Sequence, residues 1–428
     1  MGLNTYKKIY QGISKLKIVE VTLKHGEDDP QLIFASVNST GLGLSKADLI
    51  RNFILMDLEP EKQKDLYETW SQMEKSFVDS KLQEKTDRFI KDYLTIKNNG
   101  IIPTMREIYN EFQRHYIKRS MNEDIKDIID DIYKYSKYYI KLSSSGETDK
   151  YISSILTDIR ALRVDVAYPF LMEVYDDCCQ KRITREEFIE ILKFIESYVF
   201  RRAICGVPTN SLNKTFATLS KELVKDKEHY LESFKAAIML KESHRRFPDD
   251  DEFKRVMMVK DLYHLRSCEY YLTKLEKHHV HKEVNIDKCT TEHIMPQTLS
   301  VTWKNELGEN WEEIHNRYIH TIGNLTLAAY NIEYSNSPFI KKRDLEDENC
   351  HKVGLGYSPL RLNEGLADLE HWNEAEILKR AHTLVTLATV VWPYPQLSQE
   401  ILDKYRAEKS ADINRNNDME DAVSFGED

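Results

Sequence analysis

From about Glu61 to Leu275 the apolar positions recur at the three- and four-residue spacing of amphipathic helices, as in Leu66, Trp70, Met73 and Phe77. Ser45 with Asp48, Thr104 with Glu107, and Thr184 with Glu187 have the spacing of capping boxes, which predicts a helix start at each. Glycine and proline are sparse in this stretch and fall between the runs, at Gly100–Pro103, Gly146 and Gly206–Pro208. Ser143-Ser144-Ser145-Gly146 reads as a linker or exposed turn. Upstream, Ile18–Leu23 has a β-like pattern, Gln31–Val37 suits a helix, and Asn38–Gly43 is loop chemistry. The helical texture breaks near His278. Lys288–Gln297 predicts a loop and short strand, and Gly323–Leu327 a second short strand. Tyr330–Arg343 then reads as helical apart from the Ser337-Pro338 step. Asn373, with Glu376 three residues on, predicts the cap of an amphipathic helix over Ala375–Val391. The tail from Lys409 is rich in Asp, Asn and Glu and predicts disorder.

At 428 residues the chain is too long for one ordinary core, so two or three domains are expected. Hydrophobic residues at 41% and charged residues at 31% describe a globular, helix-leaning chain. No run approaches the roughly 18–20 apolar residues of a bilayer span, and the first residues lack the apolar core of a signal peptide. A cytoplasmic protein with no membrane partner is the expectation. The six cysteines contain no C-x-x-C pair, which argues against a zinc ribbon or a disulfide framework. They are expected to be reduced and mostly buried. The net charge of −10 counts against tight non-specific binding to nucleic acid by the chain as a whole.

The candidate chemistry is concentrated in one segment. Glu292-His293-Ile294-Met295-Pro296-Gln297 sets an imidazole beside a carboxylate. Ile322-Gly323-Asn324-Leu325-Thr326-Leu327, then Asn331, Asn336 and Lys342, add amides and a cation within the span of one small ββα unit. These groups suffice for phosphodiester hydrolysis with a single divalent metal. A neutral imidazole takes the proton from water, and a hard cation on oxygen ligands offsets the charge developing at phosphorus. His293 is the expected general base. Glu292 is the expected carboxylate ligand, and Asn331 and Asn336 compete for a second ligand position suited to Mg²⁺ or Mn²⁺. Asn324 is expected to pin the loop carrying His293, and Lys342 to grip a phosphate, with Lys341 and Arg343 beside it. His278, His279 and His281 with Cys289 lack the paired spacing of a zinc site and read as a solvated linker. The tryptophans at 70, 303, 372 and 392 read as packing residues.

Two stretches carry a resemblance. Ile33–Gly41 followed by Leu44–Asn52 resembles the helical end of the nucleotide-using half of GmrSD-type, modification-dependent (type IV) restriction enzymes. Glu292–Gln297, Trp303, Ile322–Leu327, Asn331, Ser335-Asn336, Phe339, Lys342, Trp372, Arg380 and Trp392 resemble that family's HNH-type, His-Me finger nuclease half. The family's ParB-like segment with its Asp-Gly-Gln-Gln-Arg motif has no counterpart here, so the chain looks like the C-terminal portion of a family member. NTP hydrolysis is not expected. The resemblance implies a mainly α fold: a multi-helical domain followed by a small ββα, HNH-like unit embedded in helices. Its expected divisions are 1–75, a remnant of the nucleotidase-type domain; 76–275, all-helical; 276–400, nuclease; and 401–428, an acidic tail. The implied activity is a metal-dependent DNA endonuclease in restriction or anti-phage defence. Its partners would be DNA, including modified phage DNA, and a separate upstream nucleotidase subunit. The rival expectation is a catalytically silent member that only binds a partner or DNA.

Overall fold

A computed structural model of the chain describes residues 3–17, 20, 44–56, 58–223, 228–278, 286, 288–329 and 334–408. The fold is mainly helical. After α1 (Leu3–Ile13) come α2 (Lys46–Leu55), α3 (Pro60–Asp79), α4 (Thr86–Lys97), α5 (Ile108–Ser120), α6 (Ile125–Ser143), α7 (Lys150–Ala161), α8 (Tyr168–Cys179), α9 (Arg185–Ile204), α10 (Asn210–Leu219) and α11 (Tyr230–Met239). There follow α12 (Asp250–Met257), α13 (Cys268–Lys277), β1 (Thr290–His293), α14 (Val301–Leu307), α15 (Trp311–Tyr318), β2 (Leu325–Ala328), α16 (Phe339–Arg343) and α17 (Glu374–Val391).

The predicted starts of α2 and α9 are complete capping boxes. Ser45 and Thr184 each accept from the backbone N–H three residues on, and Asp48 and Glu187 reach back to the cap N–H. Such a cap stabilises a helix by about 1 kcal/mol. Thr104 and Glu107 do pair, with Thr104 N donating to Glu107 Oε2 at 3.1 Å, but the helix starts only at Ile108. The pair closes a turn one step before α5 and caps nothing. Asn373 accepts from Glu376 N and opens α17. The second strand begins at Leu325, later than its sequence pattern predicts, because Asn324 N is already donated to Thr321 O in a turn. The helical reading from Tyr330 meets a break: Ser335 has φ +43, and α16 restarts after Pro338. Ile18–Leu23 (apart from Glu20), Gln31–Val37, Asn38–Gly43 and the tail from Lys409 lie outside the described residues.

The cysteines are free, as expected of thiols, but only Cys268 is buried; Cys179 and Cys350 are exposed and the rest half-buried. The adjacent Cys178-Cys179 pair falls at the end of α8, where the chain turns outward, so the tendency of cysteine to bury does not decide its position.

Three apolar clusters hold the fold together. The first runs from Ile50 to Phe247 and fills the helical body. The second joins Phe200 and Ile204 of α9 to Tyr271 of α13, Leu325 and Leu327 of β2, and Val385 and Trp392. The third packs Ile294, Met295, Trp303, Phe339, Trp372 and Ile377 under the β1 loop. The four tryptophans assigned to packing, Trp70, Trp303, Trp372 and Trp392, are each at most 2% exposed. Arg201 on α9 is fully buried and fastens the body to the C-terminal part: its Nε donates to Trp392 O at 2.7 Å, and its Nη2 to Asp250 Oδ1 at 2.5 Å.

Candidate active site around His293

The two short strands pair antiparallel, with Glu292 opposite Thr326 and His293 opposite Leu325. Consecutive strand residues point to opposite faces, so Glu292 and His293 leave β1 in different directions. Beyond the strand, the 294–297 loop is held by Asn324. Its Oδ1 accepts from Met295 N at 2.7 Å and from Trp372 Nε1 at 3.1 Å, while its Nδ2 donates to Met295 O at 2.9 Å and Ile319 O at 3.0 Å. The Asn324 backbone carbonyl also takes Ile294 N. Every hydrogen-bonding capacity of this buried amide is thus spent on protein.

The turn that presents Asn324 is itself clamped. Arg380 on α17 donates to the carbonyls of Ile322, Gly323, Leu325 and Leu362. Gly323 is required here because a Cβ would lie 2.4 Å from Ile377 O of the same helix. Close approach of α17 therefore depends on a residue without a side chain.

His293 is 6% exposed. Its Nε2 lies 3.1 Å from His320 Nδ1, and its Nδ1 lies 3.4 Å from Gln297 Nε2. Tyr263 packs edge-on against the His293 ring at 4.5 Å and stacks on His320 at 5.3 Å. Burial pushes the His293 pKa down to about 3, and the neighbouring His320 and Lys342 charges add to the effect. Burial likewise lowers the pKa of His320. Both rings are neutral at physiological pH. With the Gln297 amide donating to Nδ1, His293 carries its proton on Nε2, toward His320 Nδ1.

Glu292 and Lys342 form a buried pair. Lys342 Nζ donates to Glu292 Oε1 at 2.7 Å and to His293 O at 2.8 Å, with Lys342 1% and Glu292 8% exposed. Burial raises the Glu292 pKa and lowers that of Lys342, and their mutual attraction opposes both shifts. Lys342, expected at a phosphate, spends its ammonium on the β1 end. Lys341 is exposed, and Arg343 donates to Leu369 O and Asp344. Asn336 is exposed in the turn before α16, and Asn331 lies outside the described residues.

Three residues bordering His293 were not singled out by the sequence pattern: Asp261, His264 and His320. Each offers one donor atom, and the three atoms lie within 4.8 Å of one another. Asp261 accepts from His264 N at 3.1 Å and from its Nδ1 at 2.8 Å, and Leu262 N donates to His320 O at 2.9 Å, tying the two segments together. The Asp-x-x-His spacing was the available signal. It is short and common, and its third member is fifty-six residues away.

A family model for GmrSD restriction endonucleases, C-terminal domain, matches residues 247–387, a span that contains every described residue of this cluster. No curated protein matches the chain.

Proposed function

Taking residues 247–387 as a GmrSD-type restriction endonuclease C-terminal domain, we propose that the chain hydrolyses DNA phosphodiesters in restriction or anti-phage defence through an HNH-like, His-Me finger site. The observation that carries this reading is His293: a neutral imidazole at the end of the first of two antiparallel strands, its loop pinned by Asn324. In this reading the His293 imidazole takes the proton from the attacking water, which displaces the Gln297 amide from Nδ1. Gln297 and His320 hold the ring in position, and Lys342 steadies the strand end through His293 O. An anionic phosphate nearby would raise the imidazole pKa from its low value toward the working range.

A divalent cation, when bound, would stabilise charge developing on the phosphate oxygens. For Mg²⁺ or Mn²⁺ we propose Glu292 with Asn331 or Asn336 as oxygen donors. Lys342 occupies Oε1 of Glu292, so a cation would take the second carboxylate oxygen or displace the lysine. Modified phage DNA and a separate nucleotidase subunit belong to the same proposal.

The test is cleavage of plain and phage-modified DNA by the full chain with Mg²⁺ or Mn²⁺. Wild type should nick or cut, and His293→Ala should abolish cutting while retaining the far-UV spectrum of the folded protein. Equal inertness of both on both substrates would overturn the enzymatic reading in favour of a silent binding protein.

A further inference from the structure

Asp261, His264 and His320 form, among the described residues, a group of acidic and imidazole side chains whose donor atoms converge tightly enough for one ion. Their surroundings are built for it. The Asp261–His264 turn is tied to the His320 backbone by Leu262 N, so the two segments cannot drift apart independently. The imidazoles meet edge to face at 4.6 Å, and Tyr263 stacks under His320. The Nδ1 of His264 lies 2.8 Å from Asp261 Oδ2, and the Nδ1 of His320 lies 3.1 Å from His293 Nε2.

We infer that Asp261, His264 and His320 hold a divalent transition metal against the outer side of His293, at a position separate from the Glu292 carboxylate. Two imidazoles and one carboxylate suit Mn²⁺, Co²⁺, Ni²⁺ or Zn²⁺ better than Mg²⁺, and three protein ligands leave positions open to water or a phosphate oxygen. The site is partly exposed, as a cation that must meet a nucleic-acid backbone has to be. A ligating imidazole donates its other N–H, which fixes ring orientation. The inference rests on the nuclease reading only for the role of His293; the ion binding stands by itself.

The experiment is titration of the metal-free full chain with Co²⁺, followed by visible absorption and by calorimetry, with DNA cleavage measured in parallel. Wild type should take up Co²⁺ with ligand-field bands of imidazole ligation. His264→Ala and Asp261→Asn, both at exposed positions, should each weaken the uptake that gives these bands at least tenfold, and Glu348→Gln, at an exposed carboxylate outside both sites, should leave it unchanged. Unchanged Co²⁺ affinity in both His264→Ala and Asp261→Asn, or no uptake by folded wild type, would overturn the site. If that occurs while His293→Ala still abolishes cleavage, the metal position fails and the nuclease reading survives. Loss of Co²⁺ binding in His264→Ala without any cleavage by wild type would uphold the site and remove the nuclease.

Discussion

Lys342 Nζ sits 2.7 Å from Glu292 Oε1, with the lysine side chain fully buried and that of Glu292 11% exposed. Attraction within such a pair is large, but so is the cost of removing both charges from water. Breaking it and replacing it should therefore differ sharply. Lys342→Met should destabilise the folded chain by about 3–5 kcal/mol, because it strands a buried carboxylate. Combining it with Glu292→Leu should restore most of that loss. Urea unfolding of the two variants measures the difference, and equal destabilisation would show that the pair is not a closed unit.

Asn324→Asp preserves size and removes only the amide donors. Met295 O and Ile319 O would lose their partner, and a carboxylate would enter a site with no free donor to spare. A loss of about 2–3 kcal/mol is expected, since buried groups left unpaired bear their full desolvation cost. Cleavage should fall with it, as the 294–297 loop would no longer hold His293. Denaturant midpoints and nicking rates check the two halves.

Gly323→Ala should be costly for a reason unrelated to charge. The new methyl would meet Ile377 O at 2.4 Å, so α17 must move away from the β2 turn. A destabilisation of about 1–3 kcal/mol is the usual cost of such overpacking. Gly12→Ala serves as the control, since nothing lies within 4 Å of a Cβ there and its φ is not positive.

His115 predicts an acid-sensitive step in the helical body. Its Nε2 is buried without a hydrogen-bond partner, and burial foremost, then Arg119 and Lys97, lower its pKa to about 4. Between pH 6.5 and 4 the unfolded chain binds this proton and the folded chain does not, so stability rises with pH across that window and is lost as pH falls. His115→Phe should flatten this part of the profile and be neutral or mildly stabilising at pH 7. Unfolding midpoints at pH 7, 5.5 and 4 for both proteins test it; parallel profiles would remove His115 from the cause.

Local rules made much of the fold legible. Ser45, Thr184 and Asn373 announced helix starts because a cap is a contact within four residues. Lys288–Gln297 and Gly323–Leu327 announced two short strands because their turn residues and apolar pattern are also local. What the sequence pattern missed depends on long-range pairing. Nothing near Lys342 says that its ammonium turns inward to Glu292, fifty residues earlier. Asp261 and His264 look like an ordinary surface turn until His320 is folded beside them. Thr104-Glu107 shows the reverse case, a local motif formed as expected but one turn away from the helix it should open.

The matched stretch ends at residue 387, yet Trp392 lies beyond it, stacked at 4.0 Å on Phe200 and donating its indole N–H to Tyr270 OH. The indole is a rivet shared by the two halves of the chain. Anyone grafting the 247–387 stretch onto another scaffold should therefore carry the rivet and its seat on α9 along, or the graft will bring an open seam with it.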